Sequence, residues 1–298
     1  MRLRLAAIAL LFSGVAAAAP LGLAGSYNSF IFGDFHGSSD TEGRLAVGGD
    51  AYLDHYSVGD KLPANSGDVL VVGGDLTITG GRVYHGDGWV GGNASLPGYK
   101  VVDGDLHVGA GVPIDFAAEA NYLTQLSTSL SAIGANGNVI SRWGGLELYG
   151  DGSSALQVFN VDGSQLASIH TLSIADLAAD ATVVINVSGS SSALSSMGMW
   201  SFESIRERVL FNFFEADLLN FGSVAINGSV LAPNATINNS WGVIWGTTVA
   251  NNWYGPMQQN HVPFEGELPP PSVTVPEPQT LFLAAFLCLL LLSRRRFS

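Results

Sequence analysis

A short motif recurs through the first third of the chain, and it limits what the chain can fold into. Residues 45–53 contain Val47-Gly48-Gly49-Asp50-Ala51, and residues 70–78 contain Val72-Gly73-Gly74-Asp75-Leu76. A third copy, residues 89–96, carries Gly91-Gly92-Asn93, and a fourth, residues 101–108, carries Asp103-Gly104-Asp105. The second glycines, Gly49, Gly74, Gly92 and Gly104, are 25, 18 and 12 residues apart. Residues 224–230 and 244–249 repeat the theme much later. Each copy reads as a short strand, a two-residue turn and another short strand, with Gly or Asn where a positive φ is needed. Plain hairpins would make a meander. Copies spaced by roughly one coil instead predict a right-handed parallel β-helix, in which stacking buries a continuous apolar lumen. The alternative is a sandwich or Greek-key barrel. In a β-helix the Asp or Asn after the glycine would stack from rung to rung at a corner.

One segment breaks the β pattern. Asp115 is a good N-cap. Phe116, Ala120, Leu123, Leu126, Leu130 and Ile133 follow at helical spacing, and Gly134 is a natural stop. The spacing predicts one amphipathic helix that packs along the side of the β-structure or covers an open end of the lumen. Further strands are expected at 145–149, 156–161, 171–174, 182–187 and 208–213, with a serine-rich loop over 189–196. Pro269-Pro270-Pro271 opens a stiff, extended linker.

The two termini read as addresses. Arg2 and Arg4, the apolar stretch 5–15 and the small residues Ala16 and Ala18 form a signal peptide over 1–18, with Ala19 as the first mature residue. The other end runs Pro276-Glu277-Pro278, then an apolar segment from Leu281 to Leu292, then Arg294, Arg295 and Arg296. Twelve apolar residues in a helix span only about 18 Å of a hydrocarbon core of about 30 Å. Such a span suits a segment held briefly and then cut. The basic end would stay cytoplasmic, leaving the body outside. This tail resembles the PEP-CTERM sorting signal, which implies recognition by an exosortase. The expected organisation is a signal peptide (1–18), a β-solenoid domain (19–268), a proline-rich linker (269–275) and a sorting signal (276–298), with a hydrophobic helix over 279–293 and a basic tail over 294–298.

Composition narrows the function. The formal net charge is −13, and five of the twelve Lys and Arg lie in the two terminal signals. So acidic a body argues against nucleic acid or anionic membrane surfaces as partners. The single cysteine, Cys288, lies in the C-terminal apolar run, so no disulfide holds the body together.

Several stretches together resemble one family, the choice-of-anchor A domain, which is grouped with bacterial adhesive domains. They are 27–30 with Gly33-Asp34, 39–50, 71–76, the helix around 115–130, 143–146, 158–163, 185–189, 208–213 and 228–235. They span nearly all of the body, in order. The resemblance implies a surface or matrix protein with a β-helical adhesive domain, and it supplies neither a ligand nor catalytic residues.

The residues that could carry chemistry have plainer readings. Asp34, Asp40, Glu42, Asp50 and Asp75 could hold calcium or serve catalysis, but Asp in a turn usually bonds nearby backbone N–H groups. Arg44 is placed to pair with Asp40 or Glu42. His36, His55, His85, His107, His170 and His261 show no metal spacing, and Ser188-Gly189-Ser190 is not a nucleophile motif. Trp241, Trp245, Trp253 and Tyr254 either plug the last rungs of the core or, if exposed, contact glycan. Thr77 and Thr79 share one strand face, as an ice binder requires, but the other copies lack the pair. No catalytic residue, metal site or cofactor is assigned. The expected function is an exported, non-enzymatic surface or matrix protein, adhesin-like, that binds extracellular polysaccharide or another surface protein. Its processing partners would be signal peptidase and an exosortase, and the C-terminal segment would associate with the membrane at least transiently. The alternatives are a β-helical polysaccharide lyase or hydrolase, and an ice- or mineral-surface binder.

Overall fold

The computed structural model describes residues 20–238 and 241–271. Both terminal signals, with Ala16, Ala18, Pro276, Glu277, Pro278 and Arg294 to Arg296, lie outside the described residues. Among those residues no helix is long and apolar enough to cross a membrane.

The body is a solenoid of parallel strands with three faces. On the first face, Ser29–Ile31, Leu45–Val47, Asp68–Val72, Asp87–Val90 and Leu106–Val108 stack in that order. On the second, Phe35–Gly37, Ala51–Leu53, Leu76–Ile78 and Ala94–Ser95 do the same. The third is narrower. Asp40–Thr41 pairs with Ser57–Val58, and single bridges continue through Val83 to Val102.

The coils do not run in simple chain order. This first run winds away from a seam in the middle of the solenoid. The chain then returns along the side as helix α1 (Phe116–Ser131) and starts a second run at the far end. On the first face that run is Leu156–Asp162, Thr182–Ser188, Val209–Asn212, then the opening halves of Ser229–Asn238 and Thr248–Gly255. It closes against the first strands of the body, with Ser29 paired to Thr248, Phe35 to Trp253 and Thr41 to Gln259. The N- and C-terminal coils of the body are therefore neighbours.

Two apolar clusters hold this together. The inward residues fill the lumen, among them Leu45, Val47, Leu53, Leu70, Phe159, Ile185, Phe211, Phe221 and Trp253. The outward residues of the first face form the second cluster. Phe30, Ala46, Val71, Val184, Leu210, Leu231 and Val249 would be stranded in water without a cover, and Leu123, Leu126 and Leu130 of α1 supply it. Each fully buried leucine is worth about 1.5–3 kcal/mol. Asp115 caps the helix by accepting from the Ala118 N–H at 3.0 Å. Near the other end of α1, Asn212 Nδ2 donates to the Ser127 carbonyl at 2.9 Å and Asn186 Nδ2 to the Leu130 carbonyl at 3.0 Å. The helix packs along the side, the first of the two expected arrangements. The C-terminal segment joins the same cluster through Phe264 and Leu268.

Three expectations need correction. Gly48, Gly49, Gly73, Gly74, Gly91 and Gly92 do not take a positive φ; an added Cβ at each would collide with the neighbouring rung. Residues 189–196 are not a loop, because Ser191–Ser195 is a second-face strand paired with Leu218–Gly222. Leu194 enters the lumen there, and the buried Ser192 hydroxyl donates to the Gly163 carbonyl at 3.1 Å. The fourth copy of the motif is out of phase with the other three. Val102 lies on the third face, and Gly104 stacks on Gly86 at a different corner.

Candidate functional site

Helix α1 covers the first face and leaves the broad second face open. Its geometry begins at the corner that leads onto it. Asp34, Asp50, Asp75 and Asn93 occupy successive rungs there. The Asp50 N–H donates to Asp34 Oδ1 at 2.9 Å, the Asp75 N–H to Asp50 Oδ1 at 2.8 Å, and the Asn93 N–H to Asp75 Oδ1 at 2.7 Å. The ladder crosses the seam, for the Asp34 N–H donates to Asn252 Oδ1 at 2.8 Å and Asn252 Nδ2 to Thr236 Oγ1 at 3.2 Å. These carboxylates bond the backbone N–H of the next rung, 16 to 25 residues along the chain, rather than a nearby N–H of their own turn, and so stack from rung to rung at the corner. The glycines before them allow it: a Cβ on Gly73 would collide with the Gly48 carbonyl and one on Gly74 with Asp50 Oδ1.

Two residues after each ladder position, the side chain points outward from the middle of a strand. That row reads Asn238, Tyr254, His36, Tyr52, Thr77 and Ser95 across paired strands. The His36 and Tyr52 rings meet edge to face, 4.5 Å apart. Tyr52 is 39% exposed and Tyr254 36%. Beyond this row, Thr79 Oγ1 donates to Asp54 Oδ1 at 2.6 Å and accepts from the His55 N–H at 3.1 Å. The Thr79 hydroxyl, then His55, hold the Asp54 carboxyl below its ordinary range. Thr77 and Thr79 do share this face. The face thus presents a partly exposed strip of rings, with the acidic ladder along one side and Asp54 on the other.

The remaining sequence candidates are dispersed. Asp40 and Glu42 lie away from the ladder. Asp40 accepts from Ser39 Oγ, and burial raises its carboxyl above the ordinary range. Glu42 Oε2 accepts from the His261 N–H at 2.9 Å. Arg44 does not pair with either of them. It donates to the Ser66 carbonyl at 2.8 Å and the Ser26 carbonyl at 3.4 Å, tying neighbouring turns together. His107 stacks on Trp89 at 4.1 Å, His55 sits beside Asp54, His85 has a turn conformation with φ 65°, and His170 approaches Thr171 Oγ1 at 3.1 Å. The aromatic cluster divides. Trp253 is fully buried and stacks on Phe35, Tyr254 is on the open face, Trp241 is 63% exposed at a corner, and Arg206 lies over Trp245 at 4.6 Å. Among the described residues, no three His, Cys, Asp or Glu side chains converge to hold a metal ion.

Tyr52 was missed in the sequence. The signal was present, because aligning the copies on the ladder residue places Tyr52, His36 and Tyr254 at one position.

A family model described as "Putative Ice-binding-like adhesive domain" matches residues 20–261. Among solved structures, the chain is similar to an ice-binding protein from an Antarctic ascomycete, Antarctomyces psychrotrophicus. The identity is 15% and the TM-score 0.30, with 84% of this chain and 100% of that chain covered. No curated protein matches. The family match spans the whole solenoid, from the first turn to the last coil at the seam, and the chain belongs to this ice-binding-like adhesive domain family.

Proposed function

We propose that this chain is an exported, non-enzymatic adhesive protein of the cell surface or extracellular matrix, and that the open face is its contact surface. The observation that carries this reading is the Tyr254–His36–Tyr52 row, three aromatic or imidazole rings on adjacent rungs facing solvent beside the acidic ladder. Exposed aromatic strips of this kind mark interaction sites rather than packing. The net charge of −13 directs the face toward neutral or cationic material and away from anionic membranes. The adhesive family supports a surface role. The finer assignment is a choice-of-anchor A protein whose signal peptide is removed and whose PEP-CTERM tail is processed by an exosortase. The tail would hold it at the membrane until then. The linker from Pro269 would keep the solenoid clear of the membrane during processing.

The test is adsorption of the purified mature protein to matrix recovered from cultures of the producing cells. The double variant Tyr52→Ser, Tyr254→Ser should remain folded, because both side chains stand outside the lumen, and should lose adsorption. Adsorption equal to wild type would reject the face. The family description also favours an ice-facing role for the same surface. Thermal hysteresis in the wild type, abolished in the double variant, would select that reading.

A further inference from the structure

At the far end of the second run the chain builds a feature that the adhesive face does not use. Asn138–Arg142 and Gly145–Tyr149 form an antiparallel hairpin, and the second of these strands pairs with Thr171–Ala175. The two turn residues are Trp143 and Gly144, with φ of 52° and 74°. A bulky residue in the left-handed region is unfavourable. Trp143 is also 84% exposed, so it gains almost no burial in return. Packing does not explain the ring, and local strain of this sort gathers at binding sites. A second exposed indole stands nearby. Trp200, 73% exposed, lies over Gly198, which bridges to Thr171, which in turn pairs with Gly145. Gly198 and Gly145 are two strand spacings apart, about 10 Å.

Beside Trp143 is a shallow hollow of about 200 Å³, lined by Arg142, Trp143, Glu147, His170 and Thr171. It is smaller than the roughly 300–1,000 Å³ of pockets for drug-sized ligands, and its size suits a single ring. Its polar groups are held in place. Arg142 Nη2 donates to Glu147 Oε2 at 2.5 Å and to Tyr149 Oη at 3.0 Å, and Tyr149 Oη donates to Glu147 Oε2 at 2.6 Å. The Arg142 guanidinium also lies 4.8 Å from the Trp143 ring centre. The charges of Arg142 and Glu147 cancel, which disfavours a charged ligand. An indole face beside oriented donors and acceptors of zero net charge is the chemistry that recognises a sugar. Its C–H face lies on the ring, and its hydroxyls bond the planar guanidinium and carboxylate.

We propose that this hollow binds one neutral hexopyranose unit, stacked on Trp143 and hydrogen-bonded by Arg142 and Glu147. The proposal does not rest on the open face and would survive its failure. The probes are methyl β-D-glucopyranoside, methyl β-D-galactopyranoside, methyl α-D-mannopyranoside, N-acetylglucosamine and glucuronic acid, read by saturation-transfer NMR on the mature protein. At least one neutral sugar should bind. Trp143→Asn should weaken it at least about tenfold, the change that ~1.4 kcal/mol of lost ring contact produces. Asn tolerates the left-handed turn, so this variant should fold. Glu147→Gln should also weaken binding, and Gly111→Ala, which meets nothing within 4 Å and lies on neither surface, should not. Binding of none of the neutral sugars, equal binding by Trp143→Asn, or preference for glucuronic acid would each overturn the proposal.

Discussion

Replacing Asp50 separates two roles for the acidic ladder. Asp50 Oδ1 accepts the Asp75 N–H at 2.8 Å, while Asp34 and Asp75 flank it one rung away on either side. Rungs are about 4.8 Å apart, where two like charges repel by ~0.9 kcal/mol in water. Physiological salt screens that to roughly 0.5 kcal/mol, or about 1 kcal/mol over both neighbours. The hydrogen bond itself is worth about 0.5–1.5 kcal/mol. Asp50→Ala and Asp50→Asn relieve the same repulsion, but only Asn keeps the acceptor, as Asn252 shows at the equivalent position, where its Oδ1 accepts the Asp34 N–H. Asp50→Asn should therefore be more stable than Asp50→Ala by about 1 kcal/mol, and it should stay within about 1 kcal/mol of wild type. In a domain of this size the gap between the variants is a melting difference of about 2–4 °C, within reach of calorimetry. Raising the salt should favour wild type relative to Asp50→Asn, because repulsion is what wild type retains. If Asp50→Asn falls as far as Asp50→Ala, and calcium restores only wild type, the ladder is a cation site and the stacking account is wrong.

Further outcomes follow from the same geometry. Gly73→Ala should cost about 1–3 kcal/mol by forcing a methyl against the Gly48 carbonyl, whereas Gly98→Ala, which meets nothing within 4 Å, should melt like wild type. The Asp151 carboxyl is held down to about 2, first by the Ser154 hydroxyl and then by the backbone N–H groups of Ser154 and Ser153. Its folded pKa is depressed, so its stabilisation is complete above the ordinary carboxylate range and fades as pH falls through about 2. The stability gap between wild type and Asp151→Asn should close across that acid window, and a gap constant with pH would refute the assignment. Intact mass of the protein from native cell surface and medium should end near Pro276–Pro278, while a mass retaining 281–298 would reject processing of the tail.

The solenoid was legible in the sequence because its constraint is local and repeated. Three successive turns carry Gly-Gly followed by Asp or Asn, and that pattern is visible in Gly48-Gly49-Asp50 and Gly73-Gly74-Asp75 without any partner in view. Helix α1 was legible for a similar reason, since its cap at Asp115 and its apolar stripe lie within one short segment. What it packs against was not legible. The apolar outward residues Phe30, Ala46, Val71 and Val184 come from coils far apart in sequence. The seam was hidden for the same reason, as no local pattern says that Ser29 pairs with Thr248. Serine-rich composition concealed the strand Ser191–Ser195, where one leucine in the lumen suffices once neighbouring rungs are in place. On the open face, the offset of Tyr52 from Asp50 equals that of His36 from Asp34 and Tyr254 from Asn252, but His36 and Tyr254 meet Tyr52 only once the seam joins their coils. Exposure at Trp143 could not be read at all, because the sequence does not reveal that its turn projects from the body.

The adhesive reading rests on which face meets the surface, and oxidative footprinting tests that most directly. The mature protein would be labelled free and adsorbed to matrix recovered from the producing cells, then mapped by mass spectrometry. The account predicts protection of His36, Tyr52 and Tyr254 on adsorption, with Tyr122 of α1 modified equally in both states. Protection centred on α1, with the open-face rings unchanged, would contradict it.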